Sequence, residues 1–197
     1  MDKHRHFIIH KPFGYLSQFI NNQNRRRNKK LLGELLDFPE GTMAIGRLDE
    51  DSEGLLLLTT DGKVSMQVRS KKVEKEYHVQ VDGEITDVAL AQLRNGVEIA
   101  TRGNKYKTLP SKAARLFPIP THLPRSKRIR DERHGPTSWL SITITEGKFR
   151  QVRKMTAAVG FPTLRLIRVR IGNIHLNEMP PGKVIEVDKF TLTSENE

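Results

Sequence analysis

Cysteine is absent from the 197 residues. That excludes disulfide staples, thiolate catalysis and the Cys-rich structural zinc sites, and it fits a reducing compartment, with the cytosol as the default. Long apolar runs are missing too. No wholly apolar stretch is longer than Leu55 to Leu58, far short of the ~20 residues that span a bilayer, and the opening MDKHRHFIIHKP has no signal-peptide core. These absences describe a soluble intracellular chain with no membrane partner. The segment GKFRQVRK lacks the glycine spacing of a phosphate-cradling loop, so a nucleotide cofactor has no basis in the sequence. His4, His6 and His10 are clustered, but they have no further ligands at metal-site spacing, so no metal is expected. Acidic residues are in deficit: 23 Asp and Glu face 34 Lys and Arg, for a net charge of +11. A field of that sign favours polyanions, and nucleic acid is the first partner to consider. With 36% hydrophobic residues, the chain can bury roughly two-thirds of its unfolded surface in one domain or two small halves.

Residues 6–10 (HFIIH) read as a strand closed by the turn Lys11-Pro12-Phe13-Gly14. Residues 21–30 (NNQNRRRNKK) have no apolar side chain and read as a basic surface loop. Leu31, Leu32, Leu35 and Leu36 recur at helical spacing, ended by Pro39 and Gly41. Two further strands are expected at Thr42 to Gly46 and Gly54 to Thr60, the second apolar on both faces and so central. Asp61-Gly62 reads as a turn. Lys75 to Val81 alternates as a half-buried strand, and Thr86 is a plausible N-cap for a helix closed by Asn95-Gly96. Residues 118–136 form a second basic, Pro-rich surface loop. Trp139 to Thr145 alternates again and leads into a helix near Arg150 that ends at Gly160. That helix carries an apolar stripe (Val152, Met155, Val159) beside a cationic one (Arg150, Arg153, Lys154). Ile167, Val169 and Ile171 alternate with Arg168 and Arg170, so two guanidinium groups are expected off one face of a strand. Gly182 to Val187 reads as the last strand.

The chemistry concentrates in residues 46–62, GRLDEDSEGLLLLTTDG. Asp49, Asp51 and Glu53 stand with Arg47 in a tight loop entering a buried strand, a common setting for reactive groups. A carboxylate near Arg stays ionised and can serve as nucleophile or general base. The same carboxylates suit a divalent cation, a glycosidase-like pair or a solvated acidic turn.

This string resembles the GRLDxxSEGLLLLTxDG signature of the RsuA-type pseudouridine synthases. HKPFGYLSQF, KEYHVQV and EGKFRQVRKMTAAVGFPTLRLIRVRIG fall in the order that family shows, so the resemblance covers most of the chain. It implies an α+β pseudouridine synthase fold with a mixed, largely antiparallel sheet and flanking helices, in which two halves flank a basic cleft. Residues 1–197 would form one catalytic domain. The resemblance makes Asp49 the catalytic aspartate, Arg47 its neighbour in the motif, Tyr77 the aromatic against the target base, and Arg153 the basic partner of the aspartate. Two departures are similar to the RluE-type branch, which acts on large-subunit (23S) ribosomal RNA: the catalytic domain begins within ten residues, without an S4-type RNA-binding domain, and Arg150 stands where His is common before QVR. Ribosomal RNA would then be the partner, with no cofactor, in a monomer.

Uridine isomerisation requires a carboxylate that reacts at C1′, at C6 or with a sugar proton, and an aromatic ring that offsets the cost of extruding the base. Generic phosphate contacts are expected from Lys11, Arg150, Lys154, Arg165, Arg168 and Arg170. Arg25, Arg26, Arg27, Lys29 and Lys30 would form an electrostatic clamp in place of the missing domain, and residues 125–133 (RSKRIRDER) a weaker one. The alternatives are a ribosome-assembly or other RNA-binding protein that keeps the fold without the chemistry, and a related synthase acting on 16S ribosomal or transfer RNA.

Overall fold

The computed structural model describes residues 3–20, 28–69 and 73–192. The chain divides into two compact units, Met1–Val73 with Arg168–Glu197, and Glu74–Ile167.

In the first unit, β1 (His6–Lys11) buries Phe7 and Ile9. A single turn of 3-10 helix, Leu32–Glu34, replaces the longer helix that the leucine spacing suggests. Gly33 lies inside it, and Leu31, at its N-cap, has no side chain able to bond the first amides. The strand expected over 42–46 is shortened to β2 (Met43–Ala44). Next comes β3 (Glu53–Thr59), buried at every residue, which requires neighbours on both faces and explains the unbroken apolar run. β3 pairs antiparallel with β1 and with β2. Asp61-Gly62 opens a helix, α1 (Gly62–Val68), capped by the Asp61 carboxylate, which accepts from the Lys63 amide at 2.8 Å.

The second unit opens with β4 (Lys75–Asp82), whose Tyr77, Val79 and Val81 are buried in the expected alternation. In α2 (Asp87–Asn95), Thr86 accepts from the Ala89 amide and Gly96 closes the end at φ +81°. Three short strands that lack strong periodicity follow: the hairpin β5 (Glu98–Thr101) and β6 (Asn104–Lys107), then β7 (Lys112–Arg115). β8 (Thr137–Ile144) lies between β4 and β7, antiparallel to both. Residues 118–136 form the expected loop with one 3-10 turn, Glu132–His134. Its Arg130 pairs with Asp82, and its His122 meets His78 at 2.9 Å. α3 (Gln151–Ala158) buries Val152 and Met155. The chain returns to the first unit within β9 (Thr163–Ile171), followed by β10 (Ile174–His175) and β11 (Val184–Val187), which pairs with β1. Among the described residues no helix is long and apolar enough to cross a membrane.

Candidate active site

The acidic loop between β2 and β3 is held from several sides within the first unit. Asp49 opens a tight turn in which the Ser52 amide donates to the Asp49 carbonyl at 3.0 Å. Just before it, the Ser17 hydroxyl donates to the Leu48 carbonyl at 2.7 Å and accepts from the Leu48 amide at 3.0 Å. One buried side chain thereby satisfies both backbone groups of the residue next to Asp49. The amide of Gly14, in the Lys-Pro-Phe-Gly turn, donates to the Glu50 carbonyl at 2.8 Å. The Glu50 carboxylate is paired with Lys29, whose side chain is 9% exposed. Asp49 is half-buried and Arg47 exposed. Four attachments from residues 14–29, three to the loop's backbone and one to the Glu50 side chain, therefore hold the loop and leave Asp49 on a rigid support.

Where β3 begins, Gly54 has φ +106°, a conformation costly for any side chain. A Cβ placed there would lie 2.3 Å from the Arg168 carbonyl oxygen. Arg168 itself is 6% exposed, and its Nε donates to the Leu55 carbonyl at 2.7 Å.

Lys11, at the end of β1, has no exposed surface, and its ammonium donates to the carbonyls of Pro12 at 2.9 Å and Tyr15 at 2.7 Å. Burial pushes it down from 10.5 to about 7, against the pull of the Glu53, Asp51, Asp49 and Glu50 carboxylates. Below about pH 7 the folded and unfolded chains both carry the proton, and the fold bears the full cost of a buried ammonium. Between about pH 7 and 10.5 the unfolded chain holds more protons, so this group's contribution to stability rises with pH. Urea unfolding of the wild type and of Lys11→Met should therefore give a stability difference that moves in favour of the wild type from pH 7 to pH 9.5. A pH-independent difference would contradict the buried ammonium.

In the second unit, Tyr77 lies opposite Ile142 in the β4–β8 register and is 9% exposed. Arg150 occupies the N-cap of α3 with φ +53° and so precedes the helix rather than joining its cationic stripe. Gln151 is buried and holds the N-terminus: its Oε1 accepts from the Lys148 amide at 2.9 Å. Arg153 is half-buried on the first turn. The Lys154 ammonium donates to the Ala100 carbonyl at 2.7 Å.

Several residues read as phosphate contacts are engaged elsewhere. Lys11 and Arg168 point into the first unit and bond carbonyls, because a long cationic side chain can satisfy buried oxygens that nothing else reaches. Arg165 is 7% exposed and donates to the Leu123 carbonyl at 2.7 Å. Arg170 donates to the Gly172 carbonyl at 2.9 Å. Lys29 is committed to Glu50. Lys30 is exposed, with its ammonium 5.5 Å from the centre of the Tyr15 ring. Arg25, Arg26 and Arg27 lie outside the described residues. Sequence reasoning missed Ser17 and the Lys29–Glu50 pair, and the only signal was their nearness in sequence to the Lys-Pro-Phe-Gly turn and the basic run. The histidines at the N-terminus are likewise engaged: His6 Nδ1 meets the Thr59 hydroxyl at 2.9 Å and His10 Nδ1 meets the Met179 carbonyl at 2.6 Å.

The model of the family described as RNA pseudouridylate synthase matches residues 5–158. Over 182 residues the chain is 42% identical to ribosomal large subunit pseudouridine synthase E of Vibrio parahaemolyticus, covering 91% of this chain and 72% of the relative. The protein of the same name from Xanthomonas axonopodis pv. citri is 43% identical over 176 residues, 88% of this chain and 89% of the relative. Ribosomal large subunit pseudouridine synthase B of Escherichia coli K12 is 36% identical over 149 residues, 74% of this chain and 45% of the relative. A crystal structure of a pseudouridylate synthase superposes with a TM-score of 0.72 at 28% identity, covering 95% of this chain and 71% of that one.

Proposed function

Because the chain belongs to the RNA pseudouridylate synthase family, we propose that it isomerises a uridine of large-subunit (23S) ribosomal RNA to pseudouridine, with Asp49 as the reacting carboxylate. The observation that carries the reading is Asp49 on a turn fixed by Ser17, Gly14 and Lys29, inside a motif that matches the family signature. The relatives named for the large subunit support the substrate.

In the reaction the N1–C1′ bond breaks, the base turns, C5 bonds to C1′, N1 takes a proton and the hydrogen on C5 leaves as a proton. Product and substrate are isomers. Asp49 reacts with the extruded nucleoside, Arg47 supports the loop from its neighbouring position, and Tyr77 and Arg153 are the aromatic and the cation that act on the same nucleoside. An anion reacting within a net charge of +11 suits a polyanionic substrate, since the surrounding cations gather phosphates and stabilise the carboxylate. The protein acts as a cytoplasmic monomer, as one catalytic domain.

Arg25, Arg26 and Arg27 supply an electrostatic clamp on the RNA. Changing all three to Gln is expected to reduce the slope of log affinity against log salt by about 2, at ~0.7 per single-strand phosphate released; an unchanged slope in filter binding would remove the clamp.

Loss of the C5 proton provides the test of function. Large-subunit ribosomal RNA transcribed with uridine tritiated at C5 should release tritium to water on incubation with the protein, and small-subunit RNA and transfer RNA should release none. Release from the latter RNAs alone would redirect the substrate, and release from none would overturn the activity.

A further inference from the structure

Phe149 departs from both stripes of α3. It lies two residues before the helix, and the left-handed turn at Arg150 follows it directly. Its ring is 70% exposed although Val152 and Met155 are buried nearby. The Lys154 ammonium lies 5.3 Å from the ring centre and is tied to the Ala100 carbonyl of β5 at 2.7 Å. The neighbouring Lys148 places its ammonium 4.6 Å from the centre of the Tyr106 ring on β6. Two carboxylates of this region make contacts of their own. Glu146 is buried and accepts from the Leu109 amide at 2.6 Å, and its bond to the Tyr106 hydroxyl raises that phenol. Glu98 is paired with Lys105 at 3.0 Å. An exposed, flat, uncharged face is therefore bordered by ammonium groups, and one of those ammonium groups is held in place by a backbone bond.

We propose that Phe149, flanked by Lys148 and Lys154, is a stacking platform for an unpaired base of the RNA substrate, distinct from the uridine that is isomerised. This rests on the RNA-modifying reading above and adds a second point of grip within the same unit as Tyr77. The chemistry matches the occupant. Every nucleobase has a π-face that stacks on an aromatic ring, and the phosphates on either side of a stacked base require cations beside that ring. A protein partner would call for a wider apolar surface than a single ring among lysines.

The test compares RNA binding by the wild type, Phe149→Ala, Phe149→Leu and Phe149→Trp, using a large-subunit RNA fragment that the wild type binds. Alanine and leucine are both expected to weaken binding about tenfold, and tryptophan to restore it, because planarity rather than apolarity makes the contact. Loss of an uncharged ring should leave the salt slope of Phe149→Ala unchanged, whereas Lys148→Gln should lower it. The native Trp139 is only 8% exposed, so emission from the introduced indole can be followed separately, and it should be quenched and shielded from acrylamide when RNA binds. Wild-type affinity in Phe149→Ala, leucine serving as well as phenylalanine, or indole emission unmoved by RNA would each overturn the platform. Binding and product formation are read separately. A wild type that forms pseudouridine while Phe149→Ala binds normally overturns only the platform; Phe149-dependent binding without product overturns only the proposed activity.

Discussion

Asp49→Asn is expected to lose pseudouridine formation by about 10⁴-fold or more while binding RNA at least as tightly as the wild type. Asparagine keeps the shape of the side chain and the turn made through the Asp49 carbonyl, so the loop should survive the change. An amide cannot act as nucleophile or base in this step. Removing one negative charge from a strongly basic chain also favours association with phosphates. Single-turnover tritium release and filter binding measure the two halves of the prediction. Equal release from both proteins would remove Asp49 from the chemistry, and a parallel loss of binding would point to a collapsed loop instead.

Gly54→Ala should be the most damaging substitution for the fold among those considered. The added methyl would meet the backbone of Arg168 at 2.3 Å from its oxygen and 2.7 Å from its nitrogen, so no side-chain rotation relieves it, and the residue would also have to hold φ +106°. Together these are expected to cost on the order of 4 kcal/mol, or about 10 °C in Tm for a chain of this size. Thermal unfolding followed by circular dichroism would show it. A shift of about 2 °C or less would mean that β3 and Arg168 separate at little cost. Because Gly54 lies only five residues from Asp49, a destabilised variant should also lose activity faster than RNA affinity as temperature rises.

Much of the framework was legible because burial imposes period. Phe7 and Ile9, Leu55 to Leu58, and Tyr77, Val79 and Val81 announce β1, β3 and β4, and Thr86 with Gly96 brackets α2 through capping chemistry. What escaped was structure that depends on single contacts. α1 was hidden because Gly62 reads as a turn until the Asp61 carboxylate is seen to cap the amides that follow. The leucines at 31–36 suggest a helix, but Gly33 and an N-cap leucine with no side-chain acceptor reduce it to one turn. β5, β6 and β7 are four residues each, too short for alternation to stand out. The acidic loop around Asp49 was legible as a motif, whereas its supports were not. A basic residue has the same letter whether it faces solvent or folds inward to a carbonyl, so Lys11, Arg165 and Arg168 read as RNA contacts although each gives a donor to a carbonyl inside. Phe149, by contrast, was passed over because an aromatic off the helix stripe has no periodic signature.

The most direct measurement is carbodiimide mapping of pseudouridine in large-subunit ribosomal RNA from a strain that lacks this protein, repeated after supplying the wild type or Asp49→Asn. One reverse-transcription stop in that RNA should vanish with the protein, return with the wild type and stay absent with the asparagine variant. Persistence of every large-subunit stop in the deletion strain, or restoration by Asp49→Asn, would contradict the assignment of a uridine-isomerising carboxylate to position 49.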